Sequence, residues 1–374
     1  MATSLRRFFT IVTAVLGIFL LLLSLAASLA GCTATKAAED GVSEPLPEPE
    51  KPPVNPLTGE EVASWDLITR RPLAVKVEND PKARPQSGIV DADLVYEELV
   101  EGGVTRFICI FLSKDAQVIG PNRSARPSDI DICYFLDPLL ICSGGANQVM
   151  SMIQAAGMMY IAEDSTHFWR DRSRYAPHNL YTSTELLRQY LQEQGDSFNA
   201  LPDSGLYFVA EVEAAEEETT EEAGAEEGVE STPEESCMVS EATAIDIAYK
   251  ATICSCSYQY DAASESYLHS IQGVPHNDLT TGARVAPSNV IIQYVNLTSS
   301  GIRDVTGAET PVSQVIGSGN CLVFTRGNVY HATWKKDNRN SPTTFVDENG
   351  NPVPLKPGQT WIHYITDDIE VGYQ

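Results

Sequence analysis

Short apolar segments with the composition and alternation of β-strands recur along most of the chain. In the first half they are rich in β-branched and aromatic residues, and turn sequences such as EGG separate them. Apolar positions with helical spacing are interleaved with these segments. The predicted strands are PLAVKVE, DLVYEEL, VTRFICIFLS and PLLIC, and the predicted helices are IDICYFLDP, ANQVMSMIQAAG and residues 183–194. Strands followed by helices predict a mixed α/β sheet domain over residues 57–210.

The alternation of apolar and polar residues becomes more regular after residue 239. FTRGNVYHATW has the pattern of a β-hairpin that turns around residues 326–328. Segments such as NVIIQYVNL and TWIHYIT predict further strands. We therefore expect a β-rich, mainly antiparallel C-terminal domain over residues 239–374, and the predicted fold class is α+β.

The N-terminus has the pattern of an export signal. Arg6 and Arg7 precede a long apolar run, which ends in Leu-Ala-Gly-Cys at residues 29–32. This ending resembles the lipobox of bacterial lipoproteins, which implies cleavage of residues 1–31 and lipidation of Cys32. The alternative is an uncleaved transmembrane anchor, because the run is long enough to span a bilayer. Both interpretations place the rest of the chain outside the cytoplasm and at the membrane.

Two segments of biased composition flank the first predicted domain. Residues 32–56 are rich in Pro and Glu and predict a disordered tether, and residues 211–238 form an acidic insert without an apolar face. The net charge of the chain is −26. Such an acidic chain repels polyanions over long range, so we expect no nucleic-acid partner. A local cluster of arginines could still bind a small anion.

The cysteines do not form the pattern of a disulfide framework or a metal site. Apart from Cys32 there are seven, most of them among apolar neighbours, where a cysteine behaves as a small buried hydrophobe. Cys254 and Cys256 are expected on one strand, facing the same side, where they could flank a metal. No Cys-x-x-Cys motif or suitably spaced histidine accompanies them. The sequence therefore predicts no metal site and no cofactor.

The segment HFWRDRSRYAPHNLYTS, residues 167–183, is unusually rich in multi-donor side chains. It lies between two predicted helices. Pro177 prevents helix continuation, and the following polar residues offer N-cap oxygens. An ordered polar loop is a common place for a binding site. Internal pairing with carboxylates is the alternative, because the chain has about twice as many acids as bases.

Strand ends and loops of the first domain are expected to converge in one polar cleft. An arginine on a strand, as at position 106, is costly to bury unless a carboxylate or a ligand meets it. Its planar fork suits carboxylate or phosphate groups. The alternative is a buried structural network with Glu97, Glu98, Asp129 and Asp171. The expected ligand-binding residues are Glu78, Asn79, Arg84, Arg106, Arg123, Arg126, Arg170, His178 and Asn179.

An enzyme is a second hypothesis for the same region. His178 could act as a general base, oriented by Asp171 or a glutamate, with Ser124, Ser143 or Ser173 as the nucleophile. The sequence contains no recognised catalytic signature that supports this role.

The second domain contains three secondary candidates. His276 and Asp278 could form a polar group, although turn capping also explains the PHND sequence. Trp334 could form an aromatic platform for a sugar, although a core position also explains it.

Several long segments resemble the YerB-like family of bacterial lipoproteins. In the first domain they include IGPNRSARPSDID and FWRDRSRYAPHNLYTS, and in the second GVPHNDLTTG, HATWKKD and NGNPVPLKPGQTWI. Together the similar segments extend from about residue 55 to residue 370. The resemblance implies an extracytoplasmic, lipid-anchored protein, and it lends no catalytic residue.

These observations lead to one main hypothesis and two alternatives. The main hypothesis is a membrane-anchored, extracytoplasmic lipoprotein that binds an anionic cell-envelope ligand, or a protein partner at the cell surface, through an arginine-rich cleft. The first alternative is a cell-wall-directed hydrolase or transferase that uses His178. The second is a structural scaffold without a small ligand.

Overall fold

One large mixed β-sheet passes through the body of the protein. The computed structural model describes residues 51–210, 239–304 and 307–374. The predicted signal peptide, Cys32, most of the predicted tether and the acidic insert lie outside the described residues. None of the described helices is both long and apolar enough to cross a membrane.

The first part of the chain supplies eight strands and three α-helices. Short 3₁₀ turns connect several of them, among them Glu101–Gly103 and Tyr134–Leu136. The strands are β1 (Leu73–Glu78), β2 (Leu94–Leu99), β3 (Thr105–Phe111), β4 (Leu139–Cys142), β5 (Tyr160–Ala162), β6 (Trp169–Arg170), β7 (Leu180–Tyr181) and β8 (Tyr207–Phe208). The helices are α1 (Ser128–Cys133), α2 (Asn147–Ala155) and α3 (Thr184–Glu193).

The second part is formed almost entirely of strands. Its first seven are β9 (Val239–Glu241), β10 (Ala244–Ala248), β11 (Cys256–Asp261), β12 (Ser266–Ile271), β13 (Val274–Pro275), β14 (Asn289–Tyr294) and β15 (Leu297–Arg303). The last seven are β16 (Glu309–Ser313), β17 (Gly317–Thr325), β18 (Asn328–Lys336), β19 (Thr344–Val346), β20 (Pro354–Leu355), β21 (Thr360–Ile365) and β22 (Glu370–Tyr373). The predicted α+β class is confirmed.

Strands from both parts of the chain pair within the large sheet. Its order is β19-β18-β17-β14-β21-β2-β3-β1-β4-β5, and β9 pairs with the other end of β18. The two parts meet where β2 runs parallel to β21, with Leu94 opposite Thr360 and Glu97 opposite His363. β1, β2 and β3 are buried along their whole length. Strands in this position have both faces covered, so the charged residues that they carry, such as Lys76 and Glu98, are buried as well.

Two hydrophobic cores cover the two faces of the sheet. On one face, Val75 and Phe107 pack in a core that also contains Tyr258 of the second sheet, whose order is β13-β12-β11-β10-β22. On the other face, Ile108 packs in a core with Ile130 of α1 and residues of α2. The alternation of side chains along each strand decides which core a residue joins.

Local sequence signals account for several element boundaries. α3 begins after Ser183, whose hydroxyl accepts a hydrogen bond from the Leu186 backbone N–H. The hairpin between β17 and β18 turns at Arg326 and Gly327, with φ angles of 50° and 75°. Two left-handed residues define the type I′ turn, whose twist matches that of the flanking strands.

The described cysteines are free and buried, as their apolar neighbours predicted. They are Cys109, Cys133, Cys142, Cys254, Cys256 and Cys321. The expectation that Cys254 and Cys256 share a strand was wrong, because Cys254 ends a 3₁₀ turn and only Cys256 belongs to β11.

The end of the predicted tether packs against the folded body. Asn55 is buried, and its amide donates to Asp93 Oδ1 at 2.7 Å and to Ser113 Oγ at 2.8 Å. The other oxygen of Asp93 accepts from the Leu112 backbone N–H at 2.6 Å. Ordered structure therefore includes Asn55, because its amide satisfies a carboxylate that is buried beside β3.

Trp361 of β21 provides a stability test of the junction between the two parts. It is fully buried, and its ring contacts Phe107 of β3 at 5.3 Å and Tyr258 of β11 at 6.4 Å between centroids. We expect Trp361→Ala to lower the free energy of unfolding by about 3–5 kcal/mol, because it leaves a cavity in the core. Urea unfolding followed by circular dichroism measures this loss.

Trp65→Ala is the matched control for this experiment. Trp65 is 55% exposed, and its replacement should change the free energy of unfolding by less than about 0.5 kcal/mol. Equal effects in the two variants would contradict the prediction.

Candidate functional site

Charged side chains meet on one face of the large sheet, near the ends of three strands. Glu78 of β1 and Glu98 of β2 both lie opposite Arg106 of β3. Because alternate residues of a strand face the same side, these three side chains share a face with Lys76. Asn79, Glu97 and Thr105 contact one another on the opposite face. The structure therefore divides the expected cleft between the two sides of the sheet.

A fully buried ion triad anchors the first face. The ammonium group of Lys76 contacts Glu98 and Asp129, and all three side chains are inaccessible to solvent. Burial alone would lower the pKa of Lys76, but the two carboxylates outweigh it and raise that pKa. Burial also raises the pKa of Glu98 to about 7, although Lys76 partly opposes the shift. Lys76 is not among the site residues expected from the sequence; its place between two valines of a predicted strand was the available signal.

Three arginines, Arg106, Arg123 and Arg126, form what we call the arginine cluster. Arg126 makes a bidentate pair with Glu101, with both nitrogen–oxygen distances 2.7 Å. Arg123 Nε lies 2.9 Å from Glu78 Oε1. These two guanidinium groups therefore each have a close carboxylate partner.

Arg106 is the least compensated member of the cluster. Its Nη1 donates to the Ser124 carbonyl oxygen at 2.8 Å, an oxygen that also receives a 3.4 Å contact from Arg126. Its ion pair with Glu101 spans 3.9 Å, and the residue is only 8% exposed. Burial, followed by the charges of Arg126 and Arg123, lowers the pKa of Arg106 to about 10. A buried cation beside two like charges is a favourable position for an added anion.

The start of α2 lies beside the loop that carries Arg123 and Arg126. The Ala125 backbone N–H donates to the Gly144 carbonyl at 2.8 Å, and the Ser143 N–H donates to the Arg123 carbonyl at 3.0 Å. The Ser124 and Ser143 hydroxyl groups are 3.4 Å apart. Ala146 precedes α2 and cannot supply a side-chain cap. Hydroxyl groups and a helix N-terminus without a side-chain cap add hydrogen-bond donors near the arginine cluster.

His178 joins the arginine cluster through Glu78. Its Nδ1 lies 3.0 Å from Glu78 Oε2, while the other oxygen of that carboxylate meets Arg123. Burial raises the pKa of Glu78, and Arg123 and His178 partly offset the shift. The hydroxyl groups considered as nucleophiles contact other partners: Ser124 contacts Ser143, and Ser173 contacts Asp171. Among the described side-chain contacts, His178 therefore has a carboxylate partner, and no serine hydroxyl contacts it.

Arg170 and Asn179 form a separate group within the loop. Arg170 makes a bidentate pair with Glu163 at 2.8 and 2.6 Å and donates to Asn179 Oδ1 at 2.8 Å. The Asn179 amide donates to the carbonyls of Asp171 and Arg174. These contacts stabilise the loop conformation, and the described bonds of Arg170 do not include the arginine cluster.

Asn79 and Arg84 contribute to a polar network on the opposite face. Arg84 donates to the side chain of Asn79 at 3.0 Å and to its carbonyl at 2.6 Å. In the same region His276 contacts His269 between Nδ1 atoms at 2.9 Å and Gln86 Oε1 at 2.9 Å. The buried carboxylate of Asp278 accepts from backbone N–H groups of residues 88, 280 and 281, so it caps a turn.

Trp334 belongs to the sheet core. It is 3% exposed, and its indole N–H donates to the Tyr294 carbonyl at 2.9 Å. Only a small part of the indole is therefore open to a sugar, although Trp334 lines a cavity together with Tyr294 and Asn320.

One buried group has the donor types of a metal site. Glu97, Cys256 and His363 each offer a ligand atom, and these atoms lie within 4.8 Å of one another. The two ring nitrogens of His363 already contact the hydroxyl groups of Tyr249 at 3.0 Å and Tyr258 at 2.7 Å. A hydrogen-bond network therefore accounts for the histidine. Sequence spacing could not reveal this group, because β-strand pairing brings its members together.

Comparison with known proteins identifies the family. Residues 57–197 match the "Protein of unknown function (DUF3048) N-terminal domain", and residues 245–362 match the corresponding C-terminal domain. The chain belongs to the DUF3048 family. It is 30% identical over 329 residues to "Putative lipoprotein YerB" of Bacillus subtilis, covering 86% of this chain and 89% of that relative. The crystal structure of YerB from Bacillus subtilis matches with a TM-score of 0.69 at 27% identity, over 85% of this chain and 99% of that chain. The resemblance drawn from the sequence is confirmed.

The buried His276 of this DUF3048 protein predicts a pH dependence of stability. Burial, with smaller contributions from Arg84 and Arg284, lowers its pKa from 6.5 to about 3. Between these values the unfolded chain binds a proton that the folded chain does not. The contribution is therefore fully present above pH 6.5 and is lost as the pH falls towards 3, by about 1.4 kcal/mol per pH unit.

Urea unfolding at a series of pH values, with His276→Gln beside the wild type, tests this prediction. The wild type should lose stability more steeply with falling pH than the variant, because the variant lacks this titrating group. Parallel pH profiles would show that His276 has the same pKa in the folded and unfolded chain, contrary to the prediction.

Proposed function

We propose that this DUF3048 protein is an extracytoplasmic lipoprotein that binds an anionic cell-envelope ligand at the arginine cluster. The name of the Bacillus subtilis relative supports the lipoprotein part of the proposal. The surroundings of Arg106 are the observation that supports anion binding. Arg106 is 8% exposed and donates one hydrogen bond, to a carbonyl oxygen. Among its described ion pairs, the nearest carboxylate oxygen is 3.9 Å away. An ionised guanidinium that is removed from water requires more compensation than this.

The contrast with neighbouring arginines supports a ligand role for Arg106 in particular. Arg126 and Arg170 each have a bidentate carboxylate partner, so internal pairing accounts for their charges. Among the described residues, Arg106 has no bidentate carboxylate partner, and two like charges lie beside it. A carboxylate or phosphate oxygen could use the remaining N–H groups of its planar fork. The proposed ligand therefore presents one of these anionic groups.

The charge of the whole chain limits the size of the ligand. A net charge of −26 repels a long polyanion before it reaches the surface. A small anion, or a single anionic group of a larger envelope molecule, experiences less of this repulsion. We therefore expect recognition of an isolated phosphate or carboxylate group.

Replacement of Arg106 with Met separates a binding role from a structural one. Without ligand, we expect the free energy of unfolding to stay within about 1 kcal/mol of wild type or to rise, because a poorly compensated buried charge is removed. In wild type, an anion at a hundred times its dissociation constant should stabilise the fold by ~2.7 kcal/mol, and Arg106→Met should abolish this gain. Thermal unfolding of the full-length chain with phosphate, a glycerol phosphate oligomer or a nucleotide measures both effects.

Arg170→Met is the matched control for this experiment. Its guanidinium is already paired with Glu163, so the variant should keep the anion-dependent stabilisation. A loss of about 3–5 kcal/mol in Arg106→Met without ligand, together with no anion effect in wild type, would instead indicate a structural ion network.

Substitution of Cys32 tests the proposed lipid anchor. We expect Cys32→Ser to prevent lipidation, so that labelling with a radioactive fatty acid is lost. Attachment through acyl chains would then be lost as well. Cys237→Ser, which changes a cysteine outside the lipobox, should leave labelling unchanged. Equal labelling of wild type and Cys32→Ser would contradict lipidation at this residue.

A further inference from the structure

Two adjoining cavities form a groove at the β14, β17 and β18 region of the large sheet. Their volumes are about 550 and 330 Å³, and both are lined by Tyr294 and Asn320. These volumes fall within or near the range of about 300–1,000 Å³ that is typical of small-molecule sites. We call this pair of cavities the sheet groove. It is lined by residues distinct from the arginine cluster.

The strand register places four residues that line the larger cavity on one side of the sheet. Asn320 of β17 lies opposite Thr333 of β18, and Leu322 lies opposite His331. Directly paired residues point to the same face, and residues two positions apart do so too. These four side chains therefore form a continuous surface on two strands. Tyr294 ends the adjacent β14 and extends that surface by one strand.

Aromatic side chains form one wall of the larger cavity. The Tyr373 hydroxyl contacts His331 Nε2 at 3.0 Å, and the two rings are 6.2 Å apart. The Tyr373 ring also meets Phe324 edge to face at 5.6 Å, yet the residue remains 38% exposed. Tyr373 is thus held from two sides while part of its ring stays accessible. A fixed, half-exposed aromatic ring loses little conformational entropy when a ligand packs on it.

The polar lining includes amides and carboxylates. Glu348 lines the larger cavity and Asp367 the smaller one, while Asn296 and Gln314 add amide groups to the smaller cavity. Among the described residues that line the two cavities, none is a lysine or an arginine. This charge pattern disfavours an anionic ligand, in contrast to the arginine cluster.

We propose that the sheet groove binds a linear glycan whose sugar units are uncharged or carry amino groups. The C–H face of a sugar ring is apolar and can pack on Tyr373 and Tyr294. Its hydroxyl and acetamido groups can exchange hydrogen bonds with Asn320 and the other amides. Glu348 and Asp367 accept hydrogen bonds from hydroxyl groups and attract amino groups. Two adjoining cavities that share a wall fit successive units of a chain.

An extended peptide is a less suitable occupant. Peptides commonly bind beside a sheet by pairing with an exposed strand edge. The outer edge of β18 is already paired with β9 at residues 328–330 and with β19 at residues 333–335. Little backbone therefore remains available for such pairing, so side-chain recognition of a glycan is favoured.

Calorimetric titration of the full-length chain tests the proposal. The detergent should have no sugar head group, since such a group would compete for the sheet groove. The probes are a β-1,4-linked N-acetylglucosamine tetramer, its deacetylated cationic form, a tetramer of galacturonate and tetralysine. We expect the first two probes to bind and the galacturonate tetramer to bind at least tenfold more weakly. Tetralysine should not bind, because it lacks sugar rings.

Variants of the lining residues locate the binding. Tyr373→Ala and Asn320→Ala should each weaken glycan binding at least tenfold, whereas Tyr373→Phe, which retains the ring, should stay within about threefold of wild type. Tyr207→Ala is the matched control, because Tyr207 is 52% exposed and lies outside both cavities. Thermal unfolding of each variant identifies any loss of fold, and Asn320→Ala keeps the test valid if Tyr373→Ala unfolds.

Several results would overturn the proposal. They are no binding of either amino-sugar tetramer, equal affinities in wild type and Asn320→Ala, preferential binding of galacturonate, or binding of tetralysine alone. Because Arg106 does not line the groove, Arg106→Met should bind the glycan like wild type. Failure of the anion experiment would therefore leave this test unaffected.

Discussion

The parallel pairing of β2 with β21 is the contact on which the rest of the body depends. It joins strands from the two ends of the folded chain into one sheet and places Glu97 opposite His363. Trp361 of β21 then packs between β3 and the second sheet. Since the strands on either side of this pair are buried on both faces, a charged side chain there is stabilised only by partners inside the protein.

That requirement explains the two polar networks beside the central strands. On one face the charges of Lys76, Glu98 and Asp129 compensate one another in a site without solvent. On the other face, hydrogen bonds among neutral and acidic groups surround His363. The arginine cluster extends the first network towards the strand ends, where Arg106 has less compensation than its neighbours. Partners offset the desolvation cost of a buried charge, whereas a buried charge with few partners favours binding of a counter-charge.

Charge also distinguishes the two candidate ligand surfaces. The arginine cluster gathers cations within a chain whose net charge is −26. The sheet groove has carboxylates, amides and tyrosines, with no lysine or arginine among its described lining residues. Together they would suit an envelope protein that contacts an anionic group and a sugar chain at separate places.

The sequence by itself determined the element types, the α+β class and the family, because alternation, helical spacing and turn residues act over a few neighbouring positions. It also identified Arg106, Arg123, Arg126 and His178 as polar residues in need of partners. Only the tertiary structure decided that Asn79 and Arg84 lie on the other face, that Arg170 pairs within its own loop, and that Lys76 is buried. These outcomes depend on strand register and on pairing between distant segments, and a shift of one residue would reverse the face of every side chain.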